Sequence, residues 1–600
     1  MKIQSILVPS KDICKENELY FHNNQKWQLF NGYFNLFYIE KHKEYTFIES
    51  LSLIVTLKGY SWIRLMHDKE VLVERKLDEN NFVTYTFEFP YADYTKGVFW
   101  FSLKKANENV EKKIEGYYDA RANKKKDVRL AVNICTYRRE KYVLKNMTKI
   151  ASFIEREPDI VRNMQIYLID NGQTLSTSTE LKNLIKKVQI IRIIPNDNTG
   201  GCGGFTRGMK EVIAKNKWIT NVSRSSIERP FTHIVMMDDD ACFDPDTFVR
   251  LFGILHFIKD KYAKAAVGGA LWREDYPYLQ HACGESFERF RIINKHLLTD
   301  LRDYNQCTSD WMCEVGHENE CYGAWWCCTY PMSEVTEDKL PLPVFVHHDD
   351  IQFGLRRKKN GVLFLNGIGV WHQGFELCFP GVKQYYNMRN TLITEALYEP
   401  KVKSFEVALW ASKRTLGLLL MCRYAEMEFV YKGIKDFLKG PEWISKLDSA
   451  TYHRRLSDYY KKNFPLQDIE ELELDVRNKD ELVKEINNFH QNLSISQLRN
   501  YYNKKKYKTT FFKKLTINGW LFWADKKCGI MTPLDNPWKI YRKKEILMYE
   551  ISSRKACFVR RDYRKLLRMI KIVILIFCDI MKNYKKVSGD YHSEVLIKKS

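Results

Sequence analysis

The sequence predicts an α/β core preceded by an antiparallel β-sandwich and followed by a helical domain, and three observations carry that prediction. From about residue 127, apolar runs of strand length alternate with segments of helical spacing, the pattern of a mostly parallel sheet covered by helices. Residues 1 to about 125 instead alternate apolar and polar residues in short runs, as a sandwich or jelly roll does. From about 395 the chain reads as mainly helical and rich in Tyr and Lys. Six hundred residues exceed what one core accommodates, so several domains are expected, at 1–125, 126–395 and 396–600.

In the first part, Phe34–Ile39 and Thr84–Phe89 are strand candidates, with Asp78–Asn81, Pro90 and Gly97 between such runs. Arg121–Lys126 is a basic linker. In the second part the expected order is strand Val128–Cys135, helix Lys141–Glu155, strand Ile166–Asp170 and strand Gln189–Ile194. A glycine-rich turn then leads into helix Thr206–Lys215 and strand Phe231–Met237. Asp244-Pro245 opens the next helix, with Asp at the N-cap and Pro at the first position. Ligands of such sheets bind beyond the carboxyl ends of the strands, where the distinctive residues of this chain fall.

Lys and Arg number 96 against 74 Asp and Glu, for a net charge of +22, and residues 501–600 alone carry +17 of it. A tail of that charge seeks an anionic surface, nucleic acid or acidic lipid. No nucleic-acid motif accompanies it, so no nucleic-acid partner is expected. The 15 Cys are odd in number and irregularly spaced, without a CxxC pair, and no secretory signal is visible. Reduced thiols in a cytoplasmic protein are the simplest account. No apolar run reaches the roughly 20 residues that span a bilayer.

Five motifs carry chemistry. Asp238-Asp239-Asp240 ends an apolar strand, and three adjacent carboxylates repel one another unless a cation neutralises them. Hard divalent ions take oxygen ligands and share substrate phosphates; a polar loop or N-cap cluster accounts equally for an isolated triplet. Asn196–Gly208 contains five glycines, which admit either close backbone approach to an anionic ligand or merely a tight strand–helix turn. His347-His348-Asp349-Asp350 precedes a helix, so either Asp caps that helix or the pair supplies a general base. His372 in Gly369–Gln373 is a ligand for a Mn²⁺-type ion or a structural histidine. Trp325-Trp326 is a sugar-stacking wall or, by default, a buried pair.

In this order these elements resemble the glycosyltransferase family 2 enzymes with a GT-A domain, and among them the polymerising galactofuranosyltransferases. The resemblance spans most of the chain and is strongest from about 130 to 390. It implies a nucleotide-sugar-binding GT-A domain flanked by the sandwich and the helical domain. It also implies a UDP-sugar donor, a lipid-linked glycan acceptor and Mn²⁺ or Mg²⁺ as cofactor. Carried over residue by residue, it assigns Thr136, Arg138, Asp170, Asn198 and Asp239 to the donor, and Asp238, Asp240 and His372 to the metal. His281, Glu285, Trp325, Trp326 and Asp349 fall to the acceptor, and Asp350 becomes the catalytic base. His348 before the carboxylate pair and Ile351-Gln352 after it depart from the family pattern and bear on acceptor identity.

The implied mechanism is one in-line displacement with inversion at the anomeric carbon. In the tail, Arg560–Lys565, the apolar run Ile572–Cys578 and Lys582, Lys585 and Lys586 fit either a helix lying in an anionic membrane interface or a core helix with a solvated basic face. The first reading places the protein on the inner face of the cell membrane, with a homo-oligomer in view. Two rival readings are another inverting transferase, such as a rhamnosyltransferase, and a non-catalytic carbohydrate-binding protein. The latter leaves the acidic motifs and His372 without a role.

Overall fold

The computed structural model describes residues 1–106, 111–222, 228–472, 483–484, 486–488, 494–502, 510–522, 525 and 528–599. The chain divides into two compact units, Met1–Leu342 with Asp349–Gln373, and Pro343–His348 with Gly374–Ser600.

The first unit opens with two antiparallel sheets. One orders its strands Lys2–Ser5, Lys113–Arg121, Ser50–Lys58 and Val83–Phe89. The other runs His22–Asn23, Trp27–Leu29, Val98–Lys105, Tyr60–His67 and Glu70–Lys76. They share one core, built by Leu51, Leu53, Val55 and Leu57 from the first and Ile63, Leu65, Phe99, Phe101 and Leu103 from the second. Val83–Phe89 alternates cleanly, as its sequence does, whereas Val98–Lys105 is buried over its first six residues and shows no period. Phe34–Ile39 departs from expectation. Only Phe37–Tyr38 is strand, helix Ile39–Tyr45 follows, and the whole run is buried, so it has no solvent face to alternate with.

This sandwich and the α/β region are packed together inside the first unit. Helix Asp246–Phe257 presents Gly253 to Ile3, where an added Cβ would lie 2.8 Å from the Ile3 Cβ. On the same helix Arg250 pairs with Asp246 at 2.7 Å and donates to the carbonyls of Phe34 and Asn366.

Among the described residues the α/β sheet has nine strands. They run Ile191–Pro195, Met164–Asp170, Leu130–Thr136, His233–Asp238, Cys327–Pro331, Ala266–Arg273, Leu279–Ala282 and Thr299–Asp300, with Val362–His372 beside Ala266–Arg273. The four strands at one side are mutually parallel, and three of them, Leu130–Thr136, Met164–Asp170 and His233–Asp238, are the buried apolar runs that parallel sheets favour. Beyond them Cys327–Pro331 enters antiparallel on both sides, and Ala266–Arg273 pairs antiparallel with Leu279–Ala282 but parallel with Val362–His372. The expected mostly parallel sheet is therefore mixed. Antiparallel insertion leaves no mark in hydrophobic patterning when both faces are covered.

Leu130–Thr136 lies between Met164–Asp170 and His233–Asp238, so the strand order reverses there. A sheet binds ligands in the crevice at such a switch point. Cys135 is paired with Asp238 across it. Arg273 is paired with His372 at the same edge of the sheet.

The second unit carries helices Lys383–Tyr398, Ser404–Leu420, Tyr424–Phe437, Ser449–Asn463 and Tyr563–Lys599. Lys383–Tyr398 runs across residue 395, where the helical part was expected to begin. It also carries a sheet the sequence reading missed, ordered Gln467–Asp468, Lys555–Arg560, Glu545–Glu550 and Gly529–Met531. These strands are short and flanked by Lys and Arg, which masks their period. No helix among the described residues is long and apolar enough to cross a membrane, and all fifteen cysteines are unbridged.

Candidate active site

Strand His233–Asp238 delivers the acidic triplet to the switch point. Capping does not explain it, because Asp244 serves the next helix instead, accepting from the Asp246 N–H at 2.9 Å. Arg139 donates to Asp239 at 2.9 Å and also pairs with Asp240. His372, at the end of Val362–His372, brings its Nε2 to 3.6 Å from Asp240 Oδ2, while its Nδ1 meets the Gln373 carbonyl at 2.6 Å.

The electrostatics follow from this crowding. Burial, then the charge of Asp240, push Asp238 well above the usual carboxylate range. Burial likewise raises Asp239, opposed by the Arg139 charge and the Thr136 hydroxyl. Asp240 is the carboxylate that stays ionised: burial opposes its charge, but the His372 hydrogen bond and Arg139 outweigh it and lower it to about 2. Burial opposes charge on His372 too, and Asp240 reverses the sign. Asp238, Asp240 and His372 share one edge, yet no three such groups among the described residues converge into a ready-made metal centre. Their chemistry nonetheless fits a hard divalent ion, since two carboxylates crowded out of water gain from a cation.

The second carboxylate pair sits at the start of helix Asp349–Leu355. Asp350 is the second residue of that helix, not its cap; its Oδ1 accepts from the Ile351 N–H at 2.7 Å, and the Trp325 backbone beside it also favours its charged form. Burial raises both members, Asp349 to about 8 with the Asp350 charge adding to it, and Asp350 to about 6. Near neutral pH the pair thus holds one proton, and Asp350 is the member free to accept another. The next residue along, Trp326, gives its carbonyl to the Asp238 N–H at 3.4 Å. One dipeptide therefore ties Asp350 to the acidic triplet. Cys135 reports the same proximity: burial first, then Asp239, Asp238 and Asp349, raise its thiol.

The rings of that dipeptide are not a stacking wall. Trp325 is 4% and Trp326 8% exposed. Trp325 packs on Phe205 and Phe353, while Trp326 lies in a different core cluster and donates its indole N–H to the Gly269 carbonyl at 2.9 Å. A bulky pair at a sheet edge fills the two cores it separates, so the default reading of the pair prevails.

On the expected donor side, Thr136 is buried beside Asp239 and Arg138 is exposed, with φ +55°. Asp170 is buried and holds its own turn, accepting from Gly172 and Leu175 N–H groups at 3.1 and 2.8 Å. Asn198 accepts from the Gly200 N–H at 3.3 Å, at the start of helix Gly200–Val222. Two of the glycines permit close helix–sheet packing. A Cβ on Gly204 would collide with Cys135 Sγ and one on Gly208 with the Asn133 amide. On the expected acceptor side, burial lowers His281 to about 3, helped by Arg273 and His372, and Asn294 meets its Nε2 at 3.0 Å. Burial, then Asp350, raise Glu285 to about 8, with the Tyr322 hydroxyl opposing. The geometry therefore groups Thr136, Asp238–Asp240 and His372, and separately Glu285, Asp349 and Asp350, joined through Trp325-Trp326.

Sequence reasoning missed Arg139, Asn171, Arg273 and Tyr322. Arg139 adjoins the quoted Thr136–Arg138 motif and was in plain view. Asn171 bridges Gly200 and Asn196, a contact only the fold creates.

In the second unit, the segment just before the carboxylate pair is gripped by helix Lys383–Tyr398. The Asn390 amide donates to the carbonyls of Val344, Val346 and His347 at 3.2, 2.8 and 2.8 Å. Arg389 adds a bond to Val344 at 2.7 Å. Thr394 and Thr391 hold the two ring nitrogens of His348 at 2.9 and 3.1 Å. Phe345, His347 and His348 are all left-handed, with φ of +72°, +62° and +66°, a conformation that persists only when surroundings over-determine it.

Residues 131–308 match the model of glycosyl transferase family 2, and the chain therefore carries a glycosyltransferase family 2 domain. Its sequence is galactofuranosyltransferase-like: it is 30% identical over 267 residues to galactofuranosyltransferase GlfT2 of Mycobacterium tuberculosis, and 28% identical over 271 residues to that of Mycolicibacterium smegmatis. Each match covers 42% of this chain and 39% or 38% of the relative, so the chain matches about two fifths of the length of these relatives. Among solved structures, the mannosyltransferase PcManGT from Pyrobaculum calidifontis aligns at 9% identity over 56% of this chain and 85% of that one, with a TM-score of 0.28, too loose to bear on the site.

Proposed function

We propose that the protein is an inverting, metal-dependent glycosyltransferase with a GT-A domain, transferring galactofuranose from UDP-galactofuranose to a lipid-linked cell-surface glycan. The observation that carries this reading is the Trp325-Trp326 pair, with the Trp325 backbone close enough to favour charge on Asp350 and the Trp326 carbonyl accepting from the Asp238 N–H. A base and a cation-seeking carboxylate cluster a dipeptide apart suit a donor phosphate on one side and an acceptor hydroxyl on the other.

Asp350 takes the proton of the acceptor hydroxyl as it attacks the anomeric carbon from the face opposite the leaving diphosphate, and inversion follows from the single displacement. Asp349, Glu285 and His281 orient the acceptor, with Trp325 and Trp326 as frame. Thr136, Arg138, Asp170, Asn198 and Asp239 surround the donor. Mn²⁺ or Mg²⁺ held by Asp238, Asp240 and His372 would supply positive charge against the leaving diphosphate. The partition at 125/126 and 395/396, a cytoplasmic location against the inner face of the membrane and a homo-oligomeric state belong to the same proposal.

The test is incubation with UDP-galactofuranose, Mn²⁺ or Mg²⁺ and a short galactan acceptor. Acceptor extension that stops on chelation of the metal supports the reading. Extension with a different nucleotide sugar instead moves the assignment to another inverting transferase. Binding of glycan without turnover of any donor overturns catalysis.

A further inference from the structure

A groove of about 580 Å³ in the second unit lies among helices Tyr424–Phe437, Ser449–Asn463 and Tyr563–Lys599. Its floor is apolar, formed by Phe429, Leu456, Ile572 and Leu575, and its rim is cationic, formed by Lys432, Lys435, Arg455, Arg568 and Lys571. The one carboxylate in the lining, Glu428, already engages Arg568 at 2.8 Å and the Tyr459 hydroxyl. Lys435 pairs with Asp579 at 3.5 Å and Lys432 stands over the Tyr452 ring. Arg455 and Lys571 form no ion pair among the described residues and are exposed. The charge balance of the groove therefore favours an anion, and its floor favours a hydrocarbon.

The long helix extends the pattern. Leu567, Ile570, Ile574 and Met581 are 68, 37, 57 and 43% exposed. At 3.6 residues per turn they fall on one stripe, and Arg564, Arg568, Lys571 and Lys582 fall on the stripe beside it, toward the groove. A core helix would bury the first stripe; here an apolar stripe and a cationic one lie side by side in solvent.

We propose that this groove is a binding site for one anionic phospholipid-type amphiphile, its phosphate held by Arg455 and Lys571 and its chains laid along Phe429, Leu456, Ile572 and Leu575. The site is separate from the carboxylates assigned to catalysis, and its occupancy is measured without turnover.

The experiment titrates the full chain with dihexanoyl phosphatidic acid below its micelle concentration, with dihexanoyl phosphatidylcholine, and with glycerol 3-phosphate, following binding by calorimetry. Phosphatidic acid is expected to bind at least tenfold more tightly than either control. The double variant Arg455→Gln/Lys571→Gln is expected to lose at least tenfold. Both positions are exposed, so the variant keeps its circular dichroism and melting temperature, and Lys571→Arg on the Arg455 background keeps binding. Equal affinity for phosphatidylcholine reduces the groove to an apolar patch, equal affinity for glycerol phosphate makes it a free-anion site, and an unchanged double variant removes the assignment. Each of these outcomes overturns the proposal.

Discussion

At the scale of single residues, Asp350 is where chemistry and environment meet. Asp350→Asn keeps the volume and an oxygen for the Ile351 N–H but cannot accept a proton. Turnover is expected to fall by roughly 10²–10⁴, with binding of UDP-sugar by calorimetry nearly unchanged; a wild-type rate would remove Asp350 from the role of base. The pH dependence has a definite sign. Burial raises the Asp350 pKa to about 6, so the protonated, inactive form accumulates as pH falls through that value. The rate should therefore decline below about pH 6, and a rate still constant at pH 4.5 would contradict the assignment. Arg139 is the residue with the largest unplanned part. It is the cation that faces both Asp239 and Asp240, and a reading that stopped at Arg138 missed it by one position.

At the scale of elements, helix Gly200–Val222 and helix Lys383–Tyr398 do opposite kinds of work. The first needs small residues because it presses on strand Leu130–Thr136. Gly208→Ala would drive a methyl into the Asn133 amide, whose Nδ2 donates to the Phe205 carbonyl. The expected cost is about 1–3 kcal/mol, read as a lower midpoint in urea. The second needs Asn390 because one amide serves the carbonyls of Val344, Val346 and His347 in its own unit. Asn390→Ala leaves buried carbonyls without that donor, at an expected cost of about 1–3 kcal/mol, read as a lower melting temperature of the second unit. An unchanged melting temperature would mean that the segment holds its conformation without the amide.

At the scale of the whole molecule, the N-terminal sandwich is part of the first unit and not an appendage. Arg250 and Asp246 are each 4% exposed and paired, and Arg250 also donates to Phe34 and Asn366. Removing one partner of a buried pair strands the other charge, at about 3–5 kcal/mol. Arg250→Met is therefore expected to lower the melting temperature of the sandwich and of the α/β sheet together. Limited proteolysis that released a folded residue 1–125 fragment from this variant would contradict the single unit.

How much of this was legible depends on range. The strands around Val132, Leu168 and Val235 were legible because buried parallel strands read as unbroken apolar runs, and the acidic triplet because it ends one of them. The mixed half of the sheet was not, since strand direction is set by pairing partners and not by local composition. The sheet at Glu545–Glu550 was hidden for a different reason, its six residues being too few among cationic neighbours to show a period.

Which side chains are able to do chemistry, and in what order, was already written in the chain, because carboxylates, an imidazole and glycines announce themselves through residue type and local spacing. It took the fold to bring Asp238 and Asp350 to the same Trp325-Trp326 pair, to bury those indoles and to make Arg139 the counter-charge. Those facts are distances between residues far apart along the chain, and the free energy that sets them comes from packing and desolvation summed over the whole unit.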